Sequence, residues 1–368
     1  MTSPEPKAYL SSLPLYVPGA TKGVGDDPVV KLSSNESALG PSPNAIKAYQ
    51  EYGSFLQRYP DTSCNFLRDA LAEHHKLHPS RILCGNGSDQ IVDSLTRLFA
   101  GDGDEVVFCE YGFLRFKLGA IACGATPVVA PEVNCTASVD ALIAAVTERT
   151  KVVLLANPNN PTGTYISKTE LARLCAALPS EVLLVLDSAY AEFVFADNYS
   201  AGIEFVEDAG NVVMTRTFSK AYGLAGLRLG WAYGPKKIIE VFNRARLPFP
   251  VSGAAQAAGV AALHDEEYLQ EVITHNTRAL HWVADRASKL GVPPLPSVAN
   301  FNTCKVGESG SSLALLALEF LAGRNILVRP LEPYGLDNYL RVTVGLDHEN
   351  EKFIDALGTF LNAEAVRG

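Results

Sequence analysis

From about residue 80 to residue 235, short runs of consecutive apolar residues alternate with stretches whose apolar positions recur at helical spacing. Runs that are apolar at every position are how strands look when helices cover both faces of a parallel sheet. The predicted strands are 81–84, 105–109, 125–130, 151–156, 182–187, 211–217 and 229–233. Between them lie amphipathic helices such as 167–178, where Ser167 and Glu170 form a capping box ahead of Leu171, Leu174 and Leu178. Strictly alternating strands and helices imply an α/β fold, a mostly parallel seven-stranded sheet between helices.

After Pro250 the pattern changes to a helix over 254–264 and a longer one from about 266 that stops at Gly291 and the Pro293–Pro294 pair. Beyond it the sequence predicts strands over 300–306, 326–330 and 340–344, with helices over 311–323 and 348–364. This is a second, smaller α+β lobe. No internal repeat or low-complexity tract interrupts either half.

Composition narrows the possible partners. The formal net charge is −9 and lysine and arginine form no basic tract, which argues against nucleic acid. Seven scattered cysteines without CxxC spacing suggest neither a disulfide framework nor zinc, and point to a reducing compartment. His74, His75 and His78 lie close together without an HExxH arrangement, so no metal is assigned. The N-terminus lacks a charged segment followed by an apolar core, and no apolar run approaches the ~18 residues of a membrane span. A cytoplasmic protein is expected.

Chemistry in such a sheet gathers in the loops at the carboxyl ends of its strands. GNGSDQ, Gly85 to Gln90, is a glycine-rich turn into a helix whose first N–H groups suit a phosphate. A plain N-cap by Ser88 or Asp89 is the alternative, and the three-glycine dinucleotide fingerprint fails at Gln90. NPNNPTG (157–163) follows another strand, and Asp187 ends the apolar run VLLVLD, where a carboxylate needs a cation or several donors. Lys220 follows VVMTRT, and a desolvated lysine becomes nucleophilic toward an aldehyde. Taken together, phosphate donors at Ser88, Ser219 and Arg228, an aromatic at Phe113, a carboxylate at Asp187, donors at Asn157 and Tyr190 and the amine of Lys220 match what pyridoxal 5'-phosphate requires.

With these residues in place, the chain resembles the fold type I, aspartate aminotransferase-like enzymes, and within them the histidinol-phosphate aminotransferase family. The resemblance runs nearly from end to end. It is carried by LYVPGA (15–20), KLSSNESALGPSP (31–43), RYPD (58–61), GNGSD (85–89), NPNNPTG (157–163), LDSAY (186–190), TFSKAYGLAGLRLGW (217–231), ILVRPL (326–331) and YGLDNYLRVTVG (334–345). It implies a pyridoxal phosphate-dependent aminotransferase with ping-pong kinetics, the cofactor joined to Lys220 as an aldimine. Gly87, Ser88, Asp89, Ser219 and Arg228 would hold the phosphate and Asp187 would pair with the ring nitrogen. Asn157 and Tyr190 would bond the ring hydroxyl, and Phe113 would stack on the ring. Tyr59 would reach the phosphate of the neighbouring subunit in a homodimer. Tyr16, Asn157, Arg329 and Arg341 would contact substrate, with a solvent-facing strand position as the alternative for Arg329. The implied organisation is a segment 1–50 that joins the small domain, a large cofactor domain 51–265 and a small domain 266–368.

The chain departs from the family pattern at NESA (35–38), at Pro250 of PFPV and at EYGFLRF (110–116). These changes spare the cofactor chemistry and bear on the substrate. The implied reaction is transfer of the amino group of histidinol phosphate to 2-oxoglutarate. Transamination of aromatic or specialised amino acids, and a threonine-phosphate decarboxylase-like lyase on the same scaffold, are the alternatives.

Overall fold

A computed structural model describes residues 4–15, 19–23 and 28–367. The chain's first strand is β1 (Val30–Lys31). There follow β2 (Ile82–Gly85), β3 (Glu105–Cys109), β4 (Thr126–Ala130), the short hairpin β5 (Glu132–Val133) and β6 (Thr136–Ala137), β7 (Thr150–Ala156), β8 (Leu183–Asp187), β9 (Val212–Thr217) and β10 (Gly230–Tyr233). β11 (Phe301–Lys305), β12 (Ile326–Leu327), β13 (Arg329–Leu331) and β14 (Leu336–Thr343) complete the set.

All seven strands predicted for the large sheet are present, in the spatial order β2-β10-β9-β8-β7-β3-β4. β10 runs antiparallel to both its neighbours and the other pairings are parallel. The continuous apolar runs have their cause in double-sided burial. Val107, Leu184, Met214 and Trp231 pack in one cluster, and Val106, Val185, Val213 and Ala232 pack in another on the opposite face. Each such side chain contributes about 1.5–3 kcal/mol by leaving water. The helix Lys168–Ala177 begins as its sequence requires, with the Ser167 hydroxyl accepting the Glu170 N–H.

The antiparallel order reverses β10 so that Arg228, just ahead of it, stands at the same sheet edge as the carboxyl ends of β2, β7, β8 and β9. That edge carries the site.

The remaining strands form an antiparallel sheet, β11-β14-β13. It packs with the helices Glu266–Lys289, Leu313–Ala322 and Asp347–Arg367 around Val283, Leu321, Phe353 and Phe360. The single strand expected over 326–330 is two: β12 pairs in parallel with β1, and β13 pairs with β14. The register shifts beside Pro330, which has no N–H to donate. β14 begins at Leu336 rather than 340, because Asp337 points to solvent while Leu336 and Asn338 are buried. The pairing of β1 with β12 stitches the start of the chain to its end. Among the described residues no helix is long and apolar enough to cross a membrane.

Candidate active site

The sheet edge opens into a cavity of about 290 Å³. Ser88, Asp89, Phe113, Asp187, Tyr190, Ser219, Lys220, Arg228, Arg329 and Arg341 all line it. The sequence scatters these residues over some 250 positions, and the topology gathers them because most lie at or just beyond the strand ends of the large sheet.

One end of the cavity is built for an anion. The helix Gly87–Phe99 opens there, and its N-cap, Asn86, makes no side-chain capping bond, so the first N–H groups keep their donors directed outward. Arg228 sits in the left-handed region (φ 52°), and its Nη1 donates to the Ser219 hydroxyl at 3.3 Å while Nη2 lies 3.7 Å from Asp89. Close approach explains two glycines. A Cβ at Gly87 (φ +81°) would stand 2.6 Å from Arg228 Nη2, and one at Gly230 would stand 2.3 Å from the Ser88 nitrogen. The cradle is thus made of backbone donors, two hydroxyls and a guanidinium, a donor set that fits a phosphate monoester.

The floor carries Asp187, buried at the end of β8. Burial pushes its carboxyl up to about 7; Asp89 adds to the rise, while the Thr215 hydroxyl, the Ala189 N–H and Lys220 oppose it. Thr215 Oγ1 lies 3.3 Å from Asp187 Oδ1. A carboxyl so placed becomes a stable anion only beside a cationic N–H, which a pyridinium would provide. Lys220 Nζ stands 5.7 Å from the centre of the Tyr190 ring. Burial pushes the Tyr190 phenol up to about 12, and its oxygen accepts the Asn35 side-chain N–H at 2.9 Å. Aldehyde trap, phosphate cradle, ring cover and carboxylate are therefore all within one cavity.

Two arginines complete the lining. Arg329 and Arg341 are cross-strand partners on β13 and β14, only 7% and 6% exposed. Arg329 is therefore a cavity residue rather than a solvent-facing strand position. Arg341 donates to Asn160 Oδ1 at 2.5 Å and to the Ser33 carbonyl at 3.0 Å.

Two expected residues stand elsewhere, and a third lies outside the described residues. The carboxamide of Asn157 is committed to the main chain of Ile166, accepting its N–H at 2.8 Å and donating to its carbonyl at 3.3 Å. It does not face the cavity. Asn160, three residues on in the same NPNNPTG loop, does. The reason is that Asn157 still continues β7, its N–H bonded to the Asp187 carbonyl, whereas Asn160 lies past the first proline, where the chain has turned inward. Tyr59 does not line the cavity of its own chain; it is 83% exposed and stacks on Phe249 at 4.6 Å. Tyr16 lies outside the described residues. Sequence reasoning missed Asn160, Asn35 and Tyr334 as cavity residues, although all three sit in quoted motifs. Tyr334 precedes β14 on a short turn that no apolar pattern marks. Among the described residues no three His, Cys, Asp or Glu side chains gather as a metal-holding group.

Comparison with known proteins bears on this geometry. Residues 27–357 match the family model for aminotransferase class I and II. The chain is 48% identical over 363 residues to the histidinol-phosphate aminotransferase of Paramagnetospirillum magneticum, covering 99% of this chain and 100% of that protein. It is 47% identical over 361 residues to the enzyme of the same name from Rhodospirillum centenum, covering 98% and 99%. The crystal structure of histidinol-phosphate aminotransferase from Sinorhizobium meliloti in complex with pyridoxal-5'-phosphate superposes with a TM-score of 0.90 at 30% identity, covering 98% of this chain and 99% of that one.

Proposed function

Since the chain belongs to the class I and II aminotransferases, within the histidinol-phosphate aminotransferase family, we propose that it moves the amino group of histidinol phosphate to 2-oxoglutarate with pyridoxal phosphate in the cavity described above. The observation that carries this reading is that buried Arg329 and Arg341, cross-strand partners, line the same cavity as Lys220 and Asp187. Two buried guanidiniums lining one cavity suit an anion, which a guanidinium binds through two parallel N–H bonds, and both substrates bring one, a phosphate or a carboxylate.

When bound, the cofactor supplies an aldehyde that takes the amino group and a ring that withdraws the electron pair of the α-C–H bond. The chain's own groups do the rest. The N-terminal amides of Gly87–Phe99, with Ser88, Ser219 and Arg228, hold the phosphate. Asp187 would keep a proton at the ring nitrogen, and the Tyr190 phenol together with Asn160, in place of Asn157, would bond the ring hydroxyl. Phe113 covers one face of the ring. Lys220 Nζ would take the proton from the substrate α-carbon and hold it for return, acting as base and then acid. Arg329 and Arg341 orient the anionic ends of both substrates in turn, which is why one cavity serves two half-reactions.

The proposal includes a cytoplasmic homodimer in which Tyr59 reaches the neighbouring cavity. Leu56, Tyr59, Phe66 and Leu247 are each 75% exposed or more, an apolar surface that a partner would cover. It also includes a division into a segment 1–50 joined to the small domain, a cofactor domain 51–265 and a small domain 266–368. The pairing of β1 with β12 supports the first of these. The test is turnover by purified protein: glutamate formed from 2-oxoglutarate at the expense of histidinol phosphate is expected. Turnover of aromatic amino acids alone, or carbon dioxide release without an oxo acid, would replace this substrate with another.

A further inference from the structure

Behind the cavity, on the other face of the large sheet, lies an ion pair that none of the steps above uses. Arg216 is the middle residue of Thr215–Arg216–Thr217 at the end of β9. Thr215 contacts Asp187 and Thr217 lines the cavity, so alternation turns Arg216 to the opposite face. There it lies across from Trp231 of β10, its guanidinium 5.9 Å from the indole. Its partner is Glu192, two residues after Tyr190, whose Oε1 accepts from Arg216 Nη2 at 2.8 Å and from Nε at 3.2 Å. The two side chains are 9% and 5% exposed, and Glu192 Oε2 is buried without a hydrogen-bond partner.

Stability does not account for such a pair. Taking both ions out of water offsets most of their attraction, an orphaned carboxylate oxygen adds to the cost, and apolar residues of equal volume commonly do as well or better. What the pair does is join two segments. One runs from Asp187 through Tyr190 to Glu192, and the other from Thr215 through Ser219 to Lys220. Resting on the functional reading above, we propose that Arg216 and Glu192 form a positioning pair that fixes the Tyr190 segment against the Lys220 strand, holding the amine and the ring-binding groups in register while Lys220 moves between its covalent and free roles. Neither side chain hydrogen-bonds to β13 or β14, so binding of the anionic ends by Arg329 and Arg341 is left to those strands.

The test replaces both charges with apolar volume, Arg216→Met with Glu192→Met, in the full holoenzyme. The double variant is expected to melt within a few degrees of the parent. Its kcat falls at least ~10-fold with KM within ~3-fold, because misplacing a reacting group costs rate rather than binding. The pH midpoint of the bound cofactor's visible band moves by ~0.5 unit or more, although Glu36, Asp89, Asp187, Tyr190, Arg228, Arg329, Tyr334 and Arg341, the charged and titratable groups sharing the cavity with Lys220, all remain. Glu192→Gln, which keeps the volume and one bond to the guanidinium, should show the same changes at smaller size and serves if the double variant does not fold. A folded variant of either kind with parental kcat and band midpoint overturns the proposal. An unmutated protein with no cofactor band would overturn the functional reading as well, so the two failures are distinct.

Discussion

Asp187 binds its proton more tightly in the folded chain than in the unfolded one, since burial and Asp89 raise it to about 7 from an ordinary 3.8. A folded value above the unfolded one contributes stability that is complete below about pH 3.8 and is lost as the pH rises toward 7, by at most ~4 kcal/mol. The cofactor-free protein should therefore lose Tm between pH 4 and 8, and Asp187→Asn should flatten that loss, as calorimetry of the apo forms would read. In the holoenzyme the same substitution should lower kcat by ~10²-fold or more, because no anion then faces the ring nitrogen. Among the lining arginines, Arg341→Lys keeps the charge and loses the planar fork, so KM for both substrates should rise ~10- to 100-fold in steady-state kinetics. The residue scale is also where the sequence was least legible. Lys220, Asp187 and Arg228 could be assigned because their motifs admit one residue of each type. NPNNPTG offers three asparagines, and which of them enters the cavity depends on how the loop turns after its first proline, a tertiary fact. Asn35 was hidden for a similar reason: its backbone (φ 54°) aims the side chain at Tyr190, and composition carries no trace of that.

Among the elements, the contact of β10 with the start of the helix Gly87–Phe99 decides whether the phosphate cradle exists. Gly230→Ala would bring a methyl to 2.3 Å from the Ser88 nitrogen, against main chain that cannot rotate away. Expected are a destabilisation of ~1–3 kcal/mol, measurable by denaturant titration, and a weakening of cofactor affinity by ~10-fold or more, measurable by absorbance. The large sheet was legible because its inner strands are buried on both faces and read as apolar runs, with their polar residues gathered at the strand ends. β14 was not, since its first turn of pairing alternates buried and exposed residues, and the β5–β6 hairpin is too short to leave a period. β12 and β13 read as one strand because the break between them is made by partners, β1 and β14, that a local pattern cannot see.

For the whole molecule, sharing of the site across a homodimer makes a prediction that a self-contained monomer does not. A chain with Lys220→Ala and one with Tyr59→Ala, each impaired alone, should regain activity when refolded together, because the hybrid holds one cavity with both residues intact. No recovery, or a single 39.5 kDa particle in light scattering, would remove the shared site. The change of texture after Pro250 foretold that the chain leaves the large sheet for a separate antiparallel one, whereas the pairing of β1 with β12 was not visible. All of these statements rest on the covalent chemistry of one amine. Reduction of the holoenzyme with borohydride, followed by digestion and mass analysis, should find the cofactor's mass on the peptide that contains Lys220 and on no other. Cofactor mass on a different lysine, or on none, would contradict the account.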